Sequence, residues 1–364
     1  MCPLECIIKA LLQTGATQTR VNVKKKQSKN YKGLEIMTIC LGIEGTAHSF
    51  GAGVVSSEGE VLSNIWDMLQ PKEGGIHPRE ASQHHANLGP EIIKDALESA
   101  GVGMQDIDMV AFSQGPGLGP CLRTTATMAR TLSLKLGVPL IGVNHCVAHI
   151  EIGCLESNFQ DPVTVYVSGG NSQVIAFAGG RYRTFGETLD IAIGNMLDVF
   201  GRHAGMQFPA GPRVEKEAKL GSNYHPLPYS VKGMDVSYSG MLTASRKLFT
   251  EGIPIPDICF SIQETAFGML AEIAERAVAH TKKKELLLTG GVARNNRLTE
   301  ILEGVAERHD AAFHRVTPPL AGDQGAMIAW TGILQHNSGD ILEIATSKVR
   351  PKWRTDEQDI GWKT

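Results

Sequence analysis

Two stretches of the chain, about 125 residues apart, carry the same pattern of a strand, a polar Gly turn, a strand, a Gly turn and a third strand. In the first, Ile39–Gly45 pairs with Gly51–Ser56, and Ser57-Glu-Gly59 turns the chain into Glu60–Ile65. In the second, Val163–Val167 turns through Gly169-Gly-Asn-Ser172 into Gln173–Ala178, and Gly179-Gly180 leads to Arg181–Gly186. Such a duplication implies two α/β lobes with a cleft between them, where the Gly-rich turns converge. The length agrees: 364 residues exceed what one hydrophobic core ordinarily serves. Around the repeats the pattern predicts helices over Pro90–Ala100 and Thr125–Leu136, with strands at Met109–Phe112 and Pro139–Val143. Later helical segments fall at 190–203, 212–220, 238–250 and 260–283. A buried strand, Glu285–Thr289, then precedes helices over Asn295–Arg308 and Gly325–Leu334.

Composition narrows the function classes. With 35 Lys and Arg against 38 Asp and Glu, the net charge of −3 gives no support for a nucleic-acid partner, though a local patch can still bind phosphate. No apolar run reaches the ~18 residues of a membrane span. The seven cysteines are scattered and form no CxxC pair, which argues against a disulfide framework or cysteine zinc knuckle and for a soluble, cytoplasmic protein. Residues 1–36 differ from the rest: the apolar Cys6–Leu12 precedes Lys24, Lys25, Lys26, Lys29 and Lys32, the reverse of a secretory signal. Met37 reads as a true start, and 1–36 as a disordered extension, a start-site artefact or a basic arm that touches a partner.

Five motifs could carry chemistry. His145-Cys-Val-Ala-His149 puts two histidines on one helical face just after a strand, either as metal ligands or as ordinary helix residues. Cys146 stands where a zincin protease needs its glutamate base. Tyr166-Val-Ser-Gly-Gly170 ends a strand in exposed amides that suit a phosphate or carbonyl, or else forms a plain hairpin turn; Gly42-Ile-Glu-Gly-Thr-Ala-His48 reads the same way. The Ser113–Pro120 Gly/Pro loop leads into a helix, as an anion site or a structural loop, and is neither a P-loop nor GxGxxG. In Leu288–Arg297, Gly290-Gly291 allows close approach of a nucleotide, and Asn295 is a ribose or base contact or a helix N-cap. Asp323, in Leu320–Ala326, is a cap or the third member of a His/His/Asp site suited to iron or zinc.

Together these motifs closely resemble the universal Kae/TsaD/OSGEP family, the tRNA threonylcarbamoyladenosine synthase subunit once called O-sialoglycoprotein endopeptidase. The resemblance runs from Met37 to about Asp356. His77-Pro-Arg-Glu80, Gly115-Pro-Gly-Leu-Gly119, His145-x-x-x-His149, Tyr166–Gly170, Met234-Asp-Val-Ser-Tyr-Ser-Gly240, Gly290-Gly-Val292 and Gly322-Asp323 fall in family order. Tyr166 and the tail Lys348–Arg354 resemble the archaeal and eukaryotic branch.

The resemblance implies an actin-like ATPase fold (ASKHA) with two duplicated ribonuclease-H-like lobes. These are an N-terminal lobe at 37–160 and a C-terminal lobe with a helical insertion at 161–356, followed by a tail at 357–364. It implies a divalent metal, Fe(2+) favoured and Zn(2+) the alternative, held by His145, His149, Tyr166 and Asp323. It implies a site for AMP, ATP or threonylcarbamoyl-AMP formed by Tyr166, Val167, Ser168, Gly169, Gly170, Asp198, Gly211, Glu215 and Asn295. One departure stands out: the family usually has Asn where this chain has Gln324.

The activity implied is transfer of threonylcarbamoyl from its adenylate to N6 of the adenosine 3' of the anticodon in tRNAs reading ANN codons. No catalytic general base is assigned. The implied partners are tRNA and, in a KEOPS complex, a small kinase/ATPase subunit and a dimerising subunit, with no membrane. No kinase catalytic-loop or DFG signature follows the synthase region, so a kinase partner is expected on a separate chain or outside this one. Candidate tRNA contacts are Arg202, His203, Arg213, Arg294, Arg297 and Lys282-Lys-Lys284. The competing readings are an ATP-dependent small-molecule kinase, a metalloprotease and a non-catalytic nucleotide-binding scaffold. The histidine pair argues against the first and Cys146 against the second.

Overall fold

A computed structural model describes residues 37–71 and 75–363, so the extension 1–36 lies outside the described residues. The first sheet is built from β1 (Ile39–Glu44), β2 (Ser49–Ser56), β3 (Val61–Met68), β4 (Met109–Gly115) and β5 (Leu140–Asn144), in the order β3-β2-β1-β4-β5. The second uses β6 (Val163–Val167), β7 (Ser172–Ala178), β8 (Arg181–Glu187), β11 (Glu285–Thr289) and β12 (Ala312–Arg315), in the order β8-β7-β6-β11-β12. Between β8 and β11 in sequence, β9 (Val231–Lys232) and β10 (Asp235–Val236) form a small hairpin. Each large sheet is an antiparallel three-strand meander whose first strand pairs in parallel with the βα half. The duplicated sequence pattern is thus a duplicated topology. The central strands β1 and β6 are buried along their whole length, which is why they read as unbroken apolar runs.

Ten helices are described: α1 (Pro78–Ala100), α2 (Gly119–Leu136), α3 (His145–Ser157), α4 (Ile193–His203), α5 (Gly211–Ala218), α6 (Ser239–Thr250), α7 (Ile255–Thr281), α8 (Asn296–Arg308), α9 (Pro318–Ala321) and α10 (Gly325–Asn337). The starts of α1 and α2 lie furthest ahead of expectation. Pro90 does not open α1 but lies inside it, where its missing N–H costs one helical bond. The buried face Ala81, His85, Gly89, Ile92, Ile93, Ala96 and Leu97 continues on both sides of that proline and holds the helix together. α2 opens at Gly119 with Pro120 in its first turn, a position that needs no proline N–H.

Two helices join the lobes. α10 follows the second sheet in sequence yet packs on the first, and it does so at backbone distance. A Cβ on Gly42 would stand 2.2 Å from the Ala329 nitrogen, and one on Gly53 2.3 Å from that of Ala326. α3 lies between the sheets. Ala148 and Ile152 pack with the first sheet and α10, while Cys146, Val147, Ile150 and Cys154 pack with Tyr166, Ile175 and Leu287 of the second. Every residue from His145 to Cys154 is buried, as expected of a helix covered all round.

Candidate metal centre

α3 leaves the carboxyl end of β5, and Asn144 caps it: its side-chain oxygen accepts from the Cys146 and Val147 amides at 3.0 and 3.4 Å. The cap fixes the first turn, and the four-residue spacing then brings His145 and His149 edge to face, with ring centroids 4.8 Å apart. Asp323 approaches from the turn before α10. The capping role that sequence allows it is taken by Gln324, whose side chain accepts from the Met327 amide at 3.0 Å. The Asp323 carboxylate is therefore free to face the histidines, its Oδ1 3.2 Å from His149 Nε2 and 3.5 Å from His145 Nε2.

The donor set suits a first-row divalent ion. Ligand atoms of His145, His149 and Asp323 all lie within 4.8 Å of one another. Donors bound to a tetrahedral ion at ~2.0–2.2 Å stand roughly 3.3–3.6 Å apart, close to the two separations seen here. Two imidazoles and one carboxylate fit iron or zinc better than the all-oxygen preference of magnesium or calcium.

Electrostatics tie the three together. Burial pushes His145 down, but the Glu44 and Asp323 carboxylates overcome it and hold the ring well above its usual range. Burial holds His149 below its usual range against the pull of Asp323. Burial likewise opposes ionisation of Asp323, yet the two histidines keep its carboxyl well below the usual carboxylate range. Tyr166 is fully buried beside this cluster, its ring centroid 4.8 Å from that of His149, and burial raises its phenol well above the ordinary value.

Tyr166 also links the cluster to the Gly turn that follows it. Its hydroxyl accepts from Asn171 Nδ2 at 3.4 Å. Within the turn, Ser168 Oγ accepts from the amides of Gly170 and Asn171 at 3.3 and 3.0 Å. Gly169 and Gly170 are exposed, and a Cβ on either would meet nothing within 4 Å. Gly290, at φ +97°, lets its turn approach this one: a Cβ there would lie 2.2 Å from the Val167 carbonyl oxygen.

The remaining expected nucleotide residues continue the same wall. Gly194 in α4 bonds the Ser168 carbonyl, and Asp198 on α4 accepts from the Ala210 amide at 2.7 Å, just before Gly211 opens α5. Burial pushes the Asp198 carboxyl up, opposed by the Ala210 and Gly211 amides. Glu215 on α5 accepts from the Asn296 backbone and side chain at 3.2 and 3.0 Å. Asn295 is the N-cap of α8, its oxygen taken by the Arg297 and Leu298 amides and its Nδ2 donating to Gln263 at 2.6 Å.

Other motifs have structural partners. In the Gly/Pro loop, the Gly117 and Leu118 amides donate to the carbonyls of Pro351 and Thr46, so two of its donors are engaged within the chain. Arg297 is paired with Glu264 through two bonds of 2.7 and 2.8 Å and with Glu300. Arg213 bonds Pro209 and Gln207, Arg294 bonds the Pro318 carbonyl, and Lys283 pairs with Asp161.

Sequence reasoning passed over Glu44. It is fully buried and bonded to His145 Nδ1 at 3.0 Å. Its one signal is a carboxylate ending the otherwise apolar Ile39–Ile43 strand.

A family model described as TsaD, tRNA N6-adenosine threonylcarbamoyltransferase, matches residues 60–330. The chain belongs to that family. An Archaeoglobus fulgidus tRNA N6-adenosine threonylcarbamoyltransferase is 54% identical over 325 residues, covering 89% of this chain and 99% of that relative. A Methanobrevibacter smithii relative, a probable bifunctional tRNA threonylcarbamoyladenosine biosynthesis protein, is 53% identical over 90% of this chain. The chain spans 61% of the length of that bifunctional relative. Among solved structures, T. kodakarensis HypF superposes with a TM-score of 0.60 at 16% identity, over 84% of this chain and 48% of its own. Component A of Acidaminococcus fermentans (R)-2-hydroxyglutaryl-CoA dehydratase gives 0.51 at 14% identity, over 81% of this chain and 98% of its own. At such identities these likenesses establish the fold alone, the two-lobed actin-like α/β architecture. Among the described residues, no helix is long and apolar enough to cross a membrane.

Proposed function

We propose that this chain transfers the threonylcarbamoyl group of threonylcarbamoyl-AMP to N6 of the adenosine 3' of the anticodon in tRNA. The observation that carries the reading is a His145–His149–Asp323 cluster joined through Tyr166 to an open Gly turn, in a chain of the TsaD family. N6 attacks the carbamoyl carbon, a C–N bond forms and the C–O bond to phosphate breaks. AMP leaves with the bonding electrons, and the proton lost by N6 passes to solvent.

His145, His149, Tyr166 and Asp323 would hold one divalent metal, Fe(2+) favoured and Zn(2+) the alternative. Bound there, the metal supplies a Lewis acid for the threonylcarbamoyl carbonyl. The exposed Gly169-Gly170 turn holds the AMP phosphate, with the Gly169 amide as donor. Asp198 and Glu215 act on this wall by fixing the start of α5 and the Asn295–Asn296 turn, while Gly211 leaves room for the nucleotide. Asn295 keeps that turn rigid.

Arg202 and His203, in the last turn of α4, suit the tRNA backbone better than Arg297, whose charge is spent on Glu264 and Glu300. The net charge of −3 favours a share of the tRNA grip coming from partners: a small kinase/ATPase subunit and a dimerising subunit of a KEOPS-type complex. Work on tRNA of this kind belongs in the cytoplasm.

Reconstitution tests the reading. The chain, candidate partners, tRNA and threonylcarbamoyl-AMP should yield the modified nucleoside, and a His145→Ala/His149→Ala variant should yield at least ~100-fold less. Product from both proteins would reduce the metal to a structural part. Product from neither, with the partners active on another synthase subunit, would overturn the transferase assignment.

A further inference from the structure

We infer that Glu44 is a positioning residue that sets the tautomer of His145 and so aims its Nε2 at the metal site. The inference rests on the proposed metal site and concerns how the chain prepares it. Glu44 is the last residue of β1, fully buried, with both carboxylate oxygens engaged. Oε1 accepts from the Thr46 amide at 2.7 Å and from the Thr46 hydroxyl at 2.6 Å. Oε2 lies 3.0 Å from His145 Nδ1. A carboxylate only accepts, so His145 Nδ1 is the donor of that bond and carries a proton. Nε2 is the atom that faces Asp323 Oδ1 at 3.5 Å, and with Nδ1 held by Glu44 it is Nε2 that would give up its proton and offer its lone pair to a metal.

The second histidine is built differently. His149 is fully buried, yet its Nδ1 has no hydrogen-bond partner. Its orientation comes instead from the tilted ring of Tyr166 and from α3, whose His149 carbonyl accepts from the Thr289 hydroxyl at 3.2 Å. The Nδ1 of one histidine is therefore held by a buried carboxylate, and that of the other by no hydrogen bond. The Glu44 anchor also reaches the first lobe's loops, because the Thr46 carbonyl accepts from the Leu118 amide at 2.7 Å.

Glu44→Gln separates aim from bulk. With its oxygen kept by the two Thr46 donors, the amide turns its NH₂ toward His145, which moves the ring proton to Nε2 and blocks the ligand atom. The test uses the full chain, freed of metal and titrated with Zn²⁺ against a chromophoric chelator, together with ¹⁵N NMR of the histidine rings in the zinc-loaded protein. Removing such an outer partner typically weakens metal binding about 10–100-fold, and that is the loss expected for Glu44→Gln. Wild type should show a slowly exchanging, downfield Nδ1–H for His145 that the variant lacks. Equal zinc affinity in the two proteins, or zinc on His145 Nδ1 in wild type, would overturn the inference while leaving the metal site standing. Should Glu44→Gln fail to fold by circular dichroism, the wild-type ring spectrum decides alone. A wild type that binds no zinc removes the metal reading and this inference with it, and His149→Ala, expected to lose zinc outright, marks that baseline.

Discussion

Asp323 and Gln324 divide two tasks that a single helix-start residue often combines. Gln324 satisfies the first turn of α10, and Asp323 is left to the histidines. The division makes the two side chains separable by mutation. Gln324→Ala removes a cap and should cost about 1 kcal/mol of stability, while a metal titration still gives near wild-type affinity. Asp323→Asn keeps the shape, loses the charge and should weaken the metal at least ~10-fold with a smaller change in melting temperature. The reverse ranking in the two assays would show that Asp323 serves the helix and not the site. At this scale the pairing of His145 with His149 was legible, because their spacing just after a strand carries a chemical signal, whereas Asp323 read equally as a helix cap until the structure brought it to them. Glu44 was not legible. A lone carboxylate at a strand end has the same sequence appearance whether it faces solvent or a buried ring, and only the packing of β1 against α3 distinguishes the two.

The histidine helix and the aspartate helix are held by elements from both halves of the chain. α10 presses on β1 and β2 so closely that Gly42 and Gly53 have no room for a side chain. Gly42→Ala places a Cβ against backbone of α10, which has no rotamer by which to yield. Overpacking of this kind costs about 1–3 kcal/mol, or more where backbone must move. Because α10 begins two residues after Asp323, the shift should also weaken metal binding, although Gly42 touches no ligand. A destabilised Gly42→Ala with unchanged metal affinity would show that the Asp323 turn is held independently of α10.

The meanders and most helices were legible at this scale from their periods. The first half of α1 was not, since Pro90 resembles a helix start, and neither was β12, whose partly exposed Ala312–Arg315 carries no apolar alternation. β12 exists because β11 offers it a parallel edge.

For the molecule as a whole, the closing segment Glu343–Lys363 acts as a strap. On the first lobe, the Arg350 amide donates to the Gln114 carbonyl at 2.8 Å, and Asn144 Nδ2 donates to the Arg354 carbonyl at 3.2 Å. On the second, Arg354 pairs with Glu187 at 3.2 Å, and the Ile360 amide donates to the Gly180 carbonyl at 2.9 Å. The strap ends on α3, the helix of the histidine pair. There Trp362 Nε1 and the Tyr182 hydroxyl donate at 2.9 and 2.7 Å to Oε1 of Glu151, a carboxylate only 3% exposed. The duplication made the two lobes legible, but nothing local in the sequence joins residue 362 to residue 151; that contact exists only once both sheets have packed on α3.

Trp362→Phe keeps an aromatic ring and removes one donor from a buried carboxylate, a loss of about 1–3 kcal/mol. If the strap couples the lobes, hydrogen exchange in Trp362→Phe should rise together at the β8 edge, in α3 and around Gln114, on opposite sides of the cleft. Faster exchange confined to 360–363 would mean that the tail merely frays, and that the lobes are held together by α3 and α10 alone.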